Sequence, residues 1–134
     1  MSGIMGKGIY VIGDVHGSMG ALYALAKMIR DHRDLDSSRV DADVVFVGDY
    51  VDRGPDSKGV IDYIIEWQNS DLSYDVIPLK GNHEDMMLFP NLEGFLLNGG
   101  IQTLMSYGYD PTNPRMGTTG IEGLIDPNHV AWVR

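Results

Sequence analysis

The sequence predicts an α/β fold of β-α-β-α-β order: a parallel sheet layered with flanking helices. Three observations predict it. Residues 9–12 (IYVI), 44–47 (VVFV) and 75–79 are short runs with the β-branched, apolar character of buried strands. Two longer stretches between them repeat apolar residues at helical spacing. A polar, glycine-bearing segment stands at the C-terminal end of each run, and in parallel sheets ligands gather beyond those ends.

The elements follow in order. Glycines bound the first strand, Ile9 to Ile12. Residues 19–32 carry Leu22, Leu25, Ala26 and Ile29 on one helical stripe, with Ser18 expected as the N-cap. Residues 31–43 are polar and read as a loop before the second strand. After Gly54-Pro55, Asp56 or Ser57 caps a helix carrying Val60, Ile61, Ile64, Ile65 and Trp67. The third strand ends at Lys80. Right-handed crossovers then favour a parallel sheet with helices on its faces.

Beyond Glu84 the pattern loosens. Residues 85–97 read as helical on both sides of Pro90, Gly99-Gly100 interrupts them, and residues 101–107 form a short amphipathic helix. Residues 108–123 are rich in Gly, Pro, Thr and Asn and read as an irregular loop. A further helix begins at Pro127. The whole of residues 1–134 reads as a single domain.

Composition narrows the chemistry. Nineteen acidic residues against ten Lys and Arg give a formal charge of −9, a poor match for nucleic acid or anionic lipid. Neither partner is expected. The chain has no cysteine, which removes disulfides, thiolate metal sites and cysteine nucleophiles together. A metal here must use Asp, Asn, His or water, a set suited to manganese, magnesium, iron or zinc. Residues 1–8 lack the apolar stretch of a signal peptide and no run reaches membrane-spanning length, so a cytoplasmic location is expected.

The three strand-end segments carry the chemistry. In Gly13-Asp14-Val15-His16-Gly17, Asp14 and His16 stand two apart and point the same way in extended chain, so both reach one cation; the two glycines supply backbone freedom. In Gly48-Asp49-Tyr50-Val51-Asp52-Arg53-Gly54, Asp49 has two oxygens with which to bridge two metals. Asp52 can orient a histidine through a hydrogen bond, and Arg53 offers a planar fork of donors for phosphate oxygens. In Gly81-Asn82-His83-Glu84, Asn82 offers a neutral carbonyl oxygen, and His83 offers either a proton donor or another ligand. Each segment alone also reads as an ordinary turn. Three at matching strand ends read as one site.

Together GDVHG, GDYVDRG and GNHE resemble the signature of the calcineurin-like metallophosphoesterases. The longer GDYVDRGPDS narrows the resemblance to the phosphoprotein phosphatase branch, with bacterial and phage serine/threonine phosphatases as its pattern. Asn98-Gly99-Gly100 followed by Tyr107-Gly108 is similar to the bacterial members. The resemblance spans residues 9–107. It implies a first metal on Asp14 and His16, Asp49 bridging two metals, and Asn82 on the second. It implies that Arg53, with Asn82 and His83, holds the substrate phosphate, and that His83, paired with Asp52, protonates the leaving alkoxide. The attacking species would be a metal-bridging water, with no phosphoenzyme. Two divalent ions are implied, manganese first, with iron and zinc as alternatives.

One departure accompanies the match. Family members are longer, and their second half brings two more histidine ligands and a further arginine. Here the second metal has only Asp49 and Asn82; His129 is expected on the surface, His32 is expected to have no function, and Arg115 has no motif around it. The chain therefore reads as an N-terminal portion of the full sandwich, as a half-domain completed by another chain, or as a degenerate single-metal member. An uncovered half is expected to expose apolar surface and favour self-association. The expected activity is hydrolysis of phosphoserine or phosphothreonine in a phosphoprotein or phosphopeptide. The alternatives are hydrolysis of dinucleoside polyphosphates and a non-catalytic, single-metal binding module.

Overall fold

Three apolar runs become three short strands. In the computed structural model, which describes residues 7–70, 73–88, 91–113, 115 and 123–134, they are β1 (Ile9–Ile12), β2 (Asp43–Phe46) and β3 (Val76–Pro78). They pair in parallel in the order β1-β2-β3, with Ile9 opposite Asp43 and Val44 opposite Val76. Intervening helices make that pairing parallel, since each strand must return to the same end of the sheet.

The first helix, α1 (Met19–Asp34), buries Leu22, Ala26 and Ile29 along one stripe, as their spacing dictates. It runs past the expected end at His32, so part of the predicted loop is helix; a 3-10 turn at Ser37–Arg39, capped by the Asp36 carboxylate, follows. Ser18 does not cap α1, because its hydroxyl donates to the His16 carbonyl instead. Arg33 leaves the solvent altogether. Its guanidinium lies 3.3 Å from the Tyr74 ring centre and 5.1 Å from that of Tyr10, and Nη2 donates to the Ala42 carbonyl.

The second helix, α2 (Ser57–Asn69), starts on Asp56, whose carboxylate accepts the Gly59 N–H at 2.8 Å. It buries Val60, Ile61, Ile64 and Trp67. After β3 come α3 (Asn82–Leu88), α4 (Leu92–Phe95), a stretch at Leu96–Gly100 that kinks where Gly99 leaves helical geometry, α5 (Ile101–Ser106) and α6 (Pro127–Val133). The helix predicted from Asp85 starts three residues earlier, so Asn82, His83 and Glu84 occupy a first helical turn. Pro90 and half of the loop of residues 108–123 lie outside the described residues.

The sheet has one packed face and one open face. Ile12, Val44, Phe46 and Val76 join Leu22, Ile61, Ile64 and Trp67 in the core. Their strand neighbours Ile9 and Val11 are 62% and 66% exposed, and Ile77 is 39% exposed. The wholly apolar strands predict cover on both faces, which the described residues do not provide. Two right-handed crossovers stepping the same way, β1 to β2 to β3, put both helices on one side of the sheet.

His129 corrects the sequence reading. It is 4% exposed, not a surface residue. Its Nε2 lies 2.9 Å from the Asp62 carboxylate on α2, and its Nδ1 lies 2.7 Å from the Tyr107 hydroxyl. Spacing of four residues puts His129 and Val133 on the face of α6 that meets the core, and both ring nitrogens find partners there.

Candidate active site

Backbone hydrogen bonds zip the first two strand-end loops together. The amides of Val15 and His16 both donate to the Asp49 carbonyl, at 3.0 and 2.9 Å, and Gly17 donates to that of Tyr50 at 2.8 Å. Glu84 ties the third loop to the second. Fully buried, its carboxylate accepts the N–H groups of Asp49, Tyr50, Val51 and Gly81 at 2.7 to 3.3 Å. Four donors on one carboxylate make a clamp of charge-assisted bonds.

The clamp holds a strained backbone. His16, Asp49, Asp52 and Arg53 have φ of 43°, 57°, 71° and 68°, the left-handed region that costs a residue with a Cβ about 1 to 2 kcal/mol. Among the described residues these are the non-glycine residues with positive φ, and all four are sequence-predicted site residues. Gly13, expected to supply that freedom, does not use it; Gly17 does, at φ 63°. Gly81 serves by close approach, since a Cβ there would overlap the Asp49 carboxylate.

Three side chains converge. Donor atoms of His16, Asp49 and His83 lie within 4.8 Å of one another. Asp14, whose side chain is 62% exposed, adjoins this group through His16, with Oδ2 3.8 Å from His16 Nε2. Asn82 is exposed at the start of α3, one residue before His83, whose N–H donates to Asp49 Oδ1 at 3.2 Å. Arg53 spans both rings: its Nη1 and Nη2 lie 3.4 and 3.2 Å from Nε2 of His16 and His83.

Each histidine has its other nitrogen fixed. His16 Nδ1 donates to the Val51 carbonyl at 2.8 Å, leaving Nε2 with a lone pair facing the cluster. His83 Nδ1 donates to Asp52 Oδ2 at 2.7 Å, so its Nε2 also faces the cluster. Burial pushes the Asp52 carboxyl up from its ordinary value, and hydrogen bonds from Thr103 and His83 oppose that rise.

The family model for calcineurin-like phosphoesterases matches residues 8–130. The chain belongs to the calcineurin-like phosphoesterase family. A serine/threonine-protein phosphatase 1 of Salmonella typhimurium is 32% identical over 97 residues, covering 69% of this chain and 38% of that protein. The chain thus spans well under half the length of that curated relative.

One donor pair of this calcineurin-like phosphoesterase is spaced to share a divalent cation, while the donor atoms of His16, Asp49 and His83 spread over up to 4.8 Å. Ligands about 2.0 to 2.2 Å from one ion lie up to about 4 Å apart, which the His16–Asp14 separation meets. The set is imidazole and carboxylate without thiolate, as hard and borderline cations require.

Sequence reasoning quoted Glu84 within its motif without a task, offered Ser57 only as a helix cap, read Gly99 only as a helix interruption within a family-like segment, and passed over Thr103. Glu84 carried a signal, as a carboxylate one residue past a predicted acid. Gly99, at φ 96°, presses against the Arg53 backbone and its carbonyl accepts the Arg53 N–H at 3.1 Å, which gives the Asn-Gly-Gly segment a physical reason. Ser57 and Thr103 carried none.

Proposed function

We propose that this chain carries the catalytic groups of a metal-dependent phosphomonoesterase acting on phosphoserine or phosphothreonine. The convergence of His16, Asp49 and His83, with His83 braced by Asp52, carries the reading. Asp14, His16 and Asp49 would hold one divalent ion; Asp49 and Asn82 would contribute to a second, with manganese the proposed metal. When bound, such ions neutralise charge on the phosphoryl group and acidify water.

The chain's own residues do the rest. Arg53, exposed at the mouth, presents a planar fork to two phosphate oxygens. Water adds to phosphorus, the bond to the serine or threonine oxygen breaks, and the proton on His83 Nε2 goes to the departing alkoxide; one proton of the water stays on the phosphate, and the other is released to solvent, from which His83 is reprotonated. Asp52 holds Nδ1–H, fixing the tautomer and favouring the imidazolium that gives that proton.

Assay of the manganese-loaded chain with p-nitrophenyl phosphate, a phosphoserine peptide and diadenosine tetraphosphate tests the reading. Phosphopeptide turnover supports it. Preference for the dinucleotide would move the assignment to polyphosphate hydrolysis, and no turnover of any of the three would sink it.

One observation favours a second reading, a non-catalytic module holding a single ion. Among the described residues the acidic and imidazole donors that cluster are only His16, Asp49 and His83. Bound manganese counted by mass spectrometry separates the two: one ion per chain without turnover supports the module, two ions with turnover the enzyme.

A further inference from the structure

Behind His83 lies a buried hydroxyl relay that the reaction as described does not use. Asp52, Ser57 and Thr103 are each completely buried, on the second loop, α2 and α5 respectively. Asp52 Oδ2 takes the His83 Nδ1–H at 2.7 Å, while Oδ1 takes the Thr103 hydroxyl at 2.6 Å. The Asp52 amide donates back to Thr103 Oγ1 at 2.8 Å and lies 3.1 Å from Ser57 Oγ. Ser57 Oγ and Thr103 Oγ1 are 3.0 Å apart.

Proton counting assigns the direction. A hydroxyl gives one proton and accepts at two lone pairs. Among the described residues the acceptor that Ser57 meets is Thr103 Oγ1, so Ser57 donates to it, and the Asp52 amide supplies the second bond that Thr103 accepts. The Thr103 proton is left for Asp52 Oδ1. Reversing the relay would leave the Ser57 proton without an acceptor in a completely buried site, at a cost a buried donor rarely bears.

We propose that Thr103 is a positioning residue for proton delivery: it pins Asp52 Oδ1, so that Oδ2 holds the His83 ring with Nε2 facing the scissile oxygen. This rests on the phosphomonoesterase reading. Asp52 sits on a left-handed backbone at φ 71°. The bond from Thr103, which arrives from 51 residues away, stops the carboxylate turning about its own side chain. Ser57 orients Thr103 in turn.

Leaving-group dependence tests it. A p-nitrophenolate departs without a proton, whereas a serine alkoxide needs one. Thr103→Val, nearly isosteric but without the hydroxyl, is expected to lower kcat on a phosphoserine peptide by about 10- to 100-fold, the usual cost of losing a group that orients a histidine. Its KM, and turnover of p-nitrophenyl phosphate, should stay within about twofold. Thr103→Ser should restore the peptide rate. Equal loss on both substrates, or no loss on either, overturns the proposal.

A proton spectrum decides independently of turnover. The His83 Nδ1–H, buried against Asp52, should give a slowly exchanging downfield imidazole resonance in the wild type and in Thr103→Ser. In Thr103→Val it should shift or broaden; an unchanged signal there also overturns the proposal. If Thr103→Val does not fold, Ser57→Ala should move the same signal in the same direction, and no movement has the same meaning. A wild type inactive on every substrate would sink the phosphomonoesterase reading, while the resonance would still test Thr103.

Discussion

The two sides of the site are built differently. On one, Asp52, His83 and Glu84 are fully or almost fully buried, and every polar atom that faces inward has a partner from another element. On the other, Asp14 and Asn82 are exposed, and the Asp14 carboxylate touches only the edge of the His16 ring. Buried groups must be paired or they destabilise the fold, so that side is preformed. An exposed carboxylate such as Asp14 is solvated and stable as it stands. The contrast teaches that the buried half is organised by folding itself, and that the exposed half, on the proposed reading, would be organised by what binds.

Substitutions can break or sharpen this contrast. The largest effect is expected at Asp49, which belongs to both sides. Asp49→Asn keeps a residue that tolerates φ 57° and an oxygen for the His83 amide, yet removes the charge. Manganese binding by calorimetry and turnover should both be lost; retained binding would refute a ligand role. Next comes Glu84→Gln, which puts an amide NH₂ among four N–H donors. Urea unfolding should show about 3 kcal/mol or more of lost stability, from bonds to a charged acceptor worth about 1.5 to 3 kcal/mol each. A loss below about 1 kcal/mol would mean that the three loops close without the clamp.

His83→Ala sits third. It should spare manganese binding and slow phosphopeptide hydrolysis by about 10² to 10⁴-fold, the range of one general acid. If it removes the metal instead, His83 belongs to the ion-binding side and the division between the two sides fails.

The smallest effect lies away from the site, where α6 docks on α2. Burial works to raise the Asp62 carboxyl, but the hydrogen bond from Lys58 and the nearby His129 charge outweigh it and hold the group below the usual carboxylate value of 3.8. A depressed native pKa means that the folded state holds fewer protons than the unfolded chain near that value. The stability Asp62 contributes is therefore present above pH 3.8 and is lost as pH falls through the native value. Acid titration of the thermal midpoint should show this limb in the wild type and a shallower one in Asp62→Asn. Since Asp62 is half exposed, the difference should be modest.

How legible the molecule was follows from the range of each interaction. The strands and helices declare themselves through periodicity within a few residues, and their errors are at ends: α1 outlasts its prediction by two residues, one of which, Arg33, packs against two aromatic rings far away in the sequence. The approach of α3 was obscured by glycine and asparagine, which suggest a turn, although Glu84 and Asp85 favour a helix's first turn. His129 was misplaced because a histidine has no intrinsic preference for surface or core, and its partners Tyr107 and Asp62 lie 22 and 67 positions away.

Sequence alone determined the β-α-β-α-β order, the identity of the candidate donors, and the exclusion of thiol chemistry, because these depend on local pattern and composition. Tertiary structure alone decided that Glu84 clamps loops 35 residues apart, that Thr103 reaches Asp52, and that the described residues leave one sheet face open. The physical reason is that a hydroxyl or a carboxylate looks the same in every sequence context. Its meaning comes from burial, which removes water as a partner and leaves only the groups that the fold brings within reach.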